Sequence, residues 1–191
     1  MKPDATGSAK AELRRLYRNR RLKDLPAAEA GLQQAAIGLA ERLERRQQLG
    51  LYWPLPGEAD LRHLADHPAL SDRLALPRVA DGRLRYRHWQ PGTALSVDET
   101  GIPAPPQGPD LEAGALGLLL APALAFDQNG IRLGYGGGWF DRLRSDPLWG
   151  AIPALAVLPA ACLAEALPRD SWDVPFQGWL DERGLHWLQA V

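Results

Sequence analysis

Residues 116–121 read Leu-Gly-Leu-Leu-Leu-Ala, a run without a polar or charged side chain. Apolar runs of this length that do not alternate are what a parallel strand needs when both its faces are covered. A second run occupies residues 152–158. Because helical patterns alternate with these strands, the expected fold is α/β: a three-layer sandwich around a mostly parallel sheet, with helices on both faces. At 191 residues, 46% hydrophobic and 24% charged, the chain can fill one core. The expected organisation is a flexible stretch over residues 1–8 and one domain over residues 9–191.

The remaining elements follow from local patterns. Residues 9–25 predict a helix whose apolar stripe is Leu13, Leu16 or Tyr17, Leu22 and Leu25, with Lys10, Arg14, Arg18, Arg21 and Lys23 at other positions. A second helix is expected to start at Pro26, run through Ile37, Leu39 and Leu43 to about Gln48, and end at Gly50. Residues 49–53 read as a strand stopped by the turn residues Pro54, Pro56 and Gly57, with Glu58 leaving the turn. Asp60 can cap a short helix through about His67. Strands over 74–79 and 84–89 are joined by an Asp81-Gly82 hairpin turn. The proline-rich residues 90–109 predict an ordered loop, with room for one short edge strand.

Composition excludes several classes. With 22 basic and 23 acidic residues the net charge is -1, which disfavours a general nucleic-acid binder that relies on counterion release. One cysteine, Cys162, allows no internal disulfide and no zinc cluster. Residues 1–8 carry one lysine and no apolar run, and no stretch is long and apolar enough for a membrane helix, so a soluble, cytoplasmic protein is expected.

The densest chemical signal is Arg132-Leu133-Gly134-Tyr135-Gly136-Gly137-Gly138-Trp139-Phe140-Asp141, between a buried strand and an expected helix near Trp139. Backbone amides freed of side chains can converge on an anion, and a helix start adds partial positive charge. Neither the Walker A ending nor the third dinucleotide glycine is present, and taken alone a glycine cluster serves equally as a tight structural turn. Arg132 and Asp141 tilt the motif toward a phosphate with a divalent cation. Lys10 and Arg14, one turn apart, can grip a polyphosphate, although on charge pattern alone a solvated face is the commoner role. In Tyr52-Trp53-Pro54-Leu55-Pro56-Gly57-Glu58, an aromatic and a carboxylate flank a rigid turn that suits a flat heterocycle, or simply packs. The histidines lack metal-ligand spacing, Cys162 reads as a small buried apolar residue, and Asp173 reads as a turn residue.

Taken in order, these segments resemble the 5-formyltetrahydrofolate cyclo-ligase family, from Lys10 to about Gly184. The most specific block runs from Pro122-Ala123-Leu124-Ala125-Phe126-Asp127 through Gly130 to the glycine motif and Asp141. Supporting matches are Lys10 with Leu13-Arg14, the turn ending at Glu58, Leu76-Pro77-Arg78, Gly101-Ile102-Pro103 and Asp173-Val174-Pro175. The resemblance implies ATP- and Mg2+-dependent conversion of 5-formyltetrahydrofolate to 5,10-methenyltetrahydrofolate through a phosphorylated formyl group. It implies that Lys10, Arg14, Arg132, Leu133, Gly134, Tyr135, Gly136, Gly137, Gly138, Trp139 and Phe140 bind ATP. It further implies that Trp53, Glu58, Tyr135 and Trp139 bind the folate, that Arg132 and Glu58 are catalytic, and that Asp141 and Asp173 hold magnesium. The implied partners are the two small molecules, with no nucleic acid and no membrane, and a monomer is expected.

The chain departs from the family at Trp139 and Phe140, where two tyrosines are usual, and at Trp172, Gln177 and Ala160. These departures leave open a binding protein that keeps the cradle without turnover. A nucleic-acid binder using the basic first helix is the other class, and the near-neutral charge stands against it.

Overall fold

The structure, a computed structural model, describes residues 5–44 and 46–188. It opens with α1 (Ala5–Ile37), one helix of 33 residues, followed by a short 3-10 turn over Gly38–Arg42. The two expected helices are therefore one, and Pro26 lies inside it. Pro26 and Leu22 both face solvent, so the carbonyl that loses its N–H partner is on the wet side. Leu25, Ala28, Leu32 and Ala36 enter the core on either side of the proline and carry the helix through it. Gly50 ends no helix, because it belongs to β1 (Gln48–Gly50), where its bare Cα lets Leu119 and Tyr86 approach. Of the stretch expected to be flexible, Ala5 to Ser8 form the first turn of α1, and residues 1–4 lie outside the described residues.

The other strands are β2 (Leu74–Ala80), β3 (Arg83–Trp89), β4 (Ser96–Val97), β5 (Pro103–Ala104), β6 (Leu116–Pro122), β7 (Ala125–Asp127), β8 (Arg132–Leu133), β9 (Ala154–Val157), β10 (Leu163–Ala164), β11 (Gly178–Asp181) and β12 (Gly184–Trp187). Two short helices, α2 (Trp139–Arg144) and α3 (Pro147–Gly150), follow the glycine motif. Seven strands form the main sheet in the order β12-β11-β9-β6-β1-β2-β3. The inner pairings are parallel, and the hairpins β2–β3 and β11–β12 add antiparallel edges. In the β2–β3 hairpin, Asp81 and Gly82 both take positive φ, 51° and 67°, as a tight hairpin turn requires. A three-stranded sheet, β10-β7-β8, and the pair β4–β5 complete the fold.

Successive side chains of the buried strands go to opposite layers. Leu118, Leu120, Leu155 and Val157 meet the C-terminal half of α1, whereas Leu119, Ala121, Ala154 and Ala156 meet Leu143 of α2 and Trp149 of α3. The architecture is thus α/β with helices on both faces. From β1 the chain proceeds to β2 on one side and later from β6 to β9 on the other. The β1/β6 gap is therefore a topological switch point, where open sheets of this kind place ligands at the carboxyl ends of the strands.

Gln177 helps fasten the sheet to α2. Its Oε1 accepts from the Ala154 N–H at 2.9 Å and from Arg144 Nη2 at 3.2 Å. Arg144 is itself buried, with its pKa pushed down to about 10 by burial. Gln177→Leu leaves the Ala154 N–H without its partner, whereas Arg144 Nη2 keeps the Gly150 and Pro175 carbonyls, so stability is expected to fall by about 1 kcal/mol in chemical denaturation with ligand affinity unchanged.

Candidate functional site

A cavity of about 470 Å3 opens at the carboxyl ends of β1, β2 and β6. Every residue to which the resemblance assigns a site role lines it: Lys10, Arg14, Trp53, Glu58, Arg132, Leu133, Gly134, Tyr135, Gly136, Gly137, Gly138, Trp139, Phe140, Asp141 and Asp173. Residues far apart in sequence are thus brought to one wall-to-wall pocket. Tyr52, Asp170 and Trp172 join them.

One wall is α1, and here the sequence reading of its faces is corrected. Leu16 and Leu22 are each 51% exposed, while Lys10 and Arg21 are 9% and 2% exposed. The inward stripe is Lys10, Arg14, Tyr17, Arg21, Leu25, Ala28, Leu32 and Ala36, at steps of three and four. Its first part carries cations to the cavity, and the rest anchors the helix in the core. The spacing of the arginines with Tyr17 and Leu25 is the signal that marks Arg21 as inward. Leu16 and Leu22 masked it by offering a rival apolar stripe.

Opposite lies the glycine loop. Arg14 Nε donates to the Gly134 carbonyl at 3.0 Å, tying helix to loop. Arg132 Nη1 donates to the Pro122 carbonyl at 3.0 Å, and its guanidinium carbon lies over the paired rings of Phe140 and Phe176, 4.9 and 5.4 Å from their centroids. Burial lowers the Arg132 pKa from its usual 12.5, opposed by the charges of Asp141 and Glu58. Gly136 and Gly138 take φ of 99° and 65°, which L-residues with side chains rarely adopt. With only six residues, α2 adds little dipole to the partial positive charge of the loop amides at its start.

The third wall is the turn after β1. Glu58 Oε2 accepts from the Leu55 N–H at 2.9 Å, closing the turn. Its other oxygen, Oε1, is buried and has no hydrogen-bond partner among the described residues. Burial raises the Glu58 pKa from its usual 4.5, opposed by the Leu55 N–H, by Tyr135 and by the charges of Arg21 and Arg132. Trp53 stands edge-on to Trp89, with the Arg62 guanidinium 4.4 Å from its ring. Because the native pKa of Glu58 exceeds its unfolded value, this residue's contribution to stability is lost as pH rises from about 4.5 through the native pKa. Glu58→Gln, which does not titrate, is therefore expected to be more stable than the parent at neutral pH, with the gain vanishing below about pH 4.5. Thermal melts across that range check it.

At the mouth, Lys10 Nζ donates to Asp170 Oδ2 and Asp173 Oδ2, both at 2.6 Å. Burial opposes the charge, yet the two carboxylates prevail and raise the Lys10 pKa above 10.5. Asp173 is thus more than a turn residue, and Asp170, which nothing in its local sequence marks out, shares its role. Among the described residues no three Asp, Glu, His or Cys side chains converge as a metal cluster. Asp141 and Asp173 suit Mg2+ in the way this ion is usually bound, through one or two carboxylates with substrate phosphate oxygens and water filling its shell.

Of the departures, Trp172 lies at the cavity rim, 65% exposed, and Gln177 is structural and off the cavity. Cys162 is fully buried, its pKa pushed up to about 11 by burial. None of the four histidines lines the cavity.

The chain matches the 5-formyltetrahydrofolate cyclo-ligase family over residues 6–180. The 5-formyltetrahydrofolate cyclo-ligase of Haemophilus influenzae is 26% identical over 172 residues, covering 87% of this chain and 91% of that protein. The protein of the same name from Escherichia coli K12 is 30% identical over 133 residues, covering 66% and 73%. Among solved structures, the 5,10-methenyltetrahydrofolate synthetase of Aquifex aeolicus superimposes with a TM-score of 0.72 at 26% identity, covering 95% of this chain and 94% of that one.

Proposed function

The chain belongs to the 5-formyltetrahydrofolate cyclo-ligase family, and on that footing we propose that it is an enzyme that uses ATP to close 5-formyltetrahydrofolate to 5,10-methenyltetrahydrofolate, releasing ADP and phosphate. The observation that supports this most is the meeting, in one cavity, of a cationic glycine-loop wall with an aromatic wall bearing a buried carboxylate oxygen free to accept.

In the proposed reaction the formyl oxygen attacks the γ-phosphorus, an O–P bond forms, and the bond to the β-phosphate oxygen breaks with departure of ADP. The N5 lone pair shifts into the C–N bond as this happens. The neighbouring anilino nitrogen then attacks the activated carbon and loses its proton, and the C–O bond breaks to expel phosphate. Phosphoryl transfer of this kind asks for positioning and charge stabilisation more than covalent help. Lys10, Arg14 and Arg132 supply positive charge, and the amides of Gly134, Gly136, Gly137 and Gly138 can approach the triphosphate without side chains of their own in the way. Trp53 and Tyr135 flank the folate ring, while Glu58 Oε1 accepts from its polar edge, setting the formyl oxygen toward the γ-phosphate. Trp139 and Phe140 close the wall between the two ligands. Asp141 and Asp173 are the carboxylates that would hold Mg2+, which would supply neutralisation of charge on the transferred group. Lys10 Nζ donates to Asp173 Oδ2, so use of that carboxylate by a cation would require the ammonium to turn toward the phosphates.

We read the chain as one domain and the enzyme as a monomer. The near-neutral charge, the single cysteine and the lack of a membrane-length apolar helix among the described residues favour a cytosolic setting. ADP release that requires 5-formyltetrahydrofolate is the expected result in a coupled assay. ADP released at the same rate without folate, or none with both substrates present, would overturn the proposal.

A further inference from the structure

Arg21 has no role in the chemistry described above, yet it is the most deeply buried cation on the cavity side of α1, at 2% exposure. Its guanidinium reaches three separate segments. Nη1 lies 3.9 Å from Glu58 Oε1 and 3.4 Å from the Ala123 carbonyl, and Nη2 donates to the Tyr135 hydroxyl. Its carbon lies 5.3 Å from the centre of the Tyr135 ring. Nε has no partner among the described residues. A buried guanidinium with donors to spare is a costly thing to keep in a core unless its charge is used.

The distance to Glu58 suggests the use. At 3.9 Å the pair is coulombic and leaves Oε1 without a hydrogen bond, so the carboxylate keeps its charge without giving up the lone pairs a ligand N–H needs. We propose that Arg21 is a positioning residue for the folate: it keeps the buried Glu58 ionised, and it holds Tyr135 against the same side of the cavity. This rests on the reading of Glu58 as a folate contact. The charged and titratable groups facing Glu58 are Arg21 from α1, Arg132 from β8, Tyr135 from the glycine loop and Tyr52 from the segment after β1. Arg132 is committed to the Pro122 carbonyl and the phenylalanine rings, and the two tyrosines are neutral at physiological pH. Arg21 is therefore the cation whose removal leaves burial least opposed at Glu58.

The test is the pH profile of 5-formyltetrahydrofolate binding, measured by calorimetry on the whole chain from about pH 5 to pH 8, with ATP binding measured in parallel. Arg21→Met is expected to move the acid limb of folate binding to higher pH and to weaken folate about tenfold at the foot of that limb. ATP affinity should change much less. Arg21→Lys, which retains the charge but withdraws it, should move the limb the same way by a smaller amount. This second variant carries the test if the methionine variant does not fold. A limb at the parent pH in the variant that folds, or an equal loss of folate and ATP affinity at all pH values, overturns the proposal by reducing Arg21 to a structural role. Failure of the parent protein to bind folate at any pH removes the underlying reading of Glu58 instead.

Discussion

Replacing Gly136 with valine is expected to weaken ATP binding at least about tenfold while leaving the fold intact. Two effects act together. The backbone at this position has φ of 99°, where a β-branched residue is strained. A Cβ there would lie 3.4 Å from Arg14 Cζ, before the two γ-methyl groups are added. Arg14 would be pushed from the loop, and the loop from the shape that presents its amides. Gly136 is exposed and outside the core, so the strain should lower the melting temperature by only a few degrees, and the larger loss should appear in nucleotide calorimetry. Unchanged ATP affinity would show that the loop is a structural turn.

The second large effect is expected from Asp141→Ala. The Asp141 side chain lies on the first turn of α2, lines the cavity and makes no hydrogen bond or ion pair among the described residues. A carboxylate held this way contributes little to stability, and its placement beside Arg132 and the glycine loop is what a ligand to a phosphate-bound ion needs. Magnesium-dependent turnover should fall by about two orders of magnitude or more, with the thermal transition unmoved. Turnover close to that of the parent would remove Asp141 from the metal assignment.

What the sequence makes legible here depends on how locally the information is stored. The strands β6 and β9 are readable because burial on both faces removes alternation, and the β2–β3 hairpin because Asp81-Gly82 fits its turn and few other structures. The strands β7, β8 and β10 are two or three residues long, too short to carry a period. Pro26 misleads for a different reason: a proline inside a helix and one at its first turn look alike until the packing of Leu25 and Ala28 is known. The glycine motif and the turn at Glu58 are contiguous, so the site's two principal walls can be read from the sequence. Arg21 and Asp170 cannot be read in the same way. Their partners Tyr135 and Lys10 lie 114 and 160 residues away in the chain, and only the fold joins them.

The account's central claim is ATP-driven ring closure on the folate, and the product's own chromophore reports it. Purified protein mixed with 5-formyltetrahydrofolate, ATP and Mg2+ should give a rising methenyl absorbance that is absent when ATP is omitted. No rise with ATP present, while both ligands bind by calorimetry, would contradict the claim and identify a protein that keeps the cradle without the reaction.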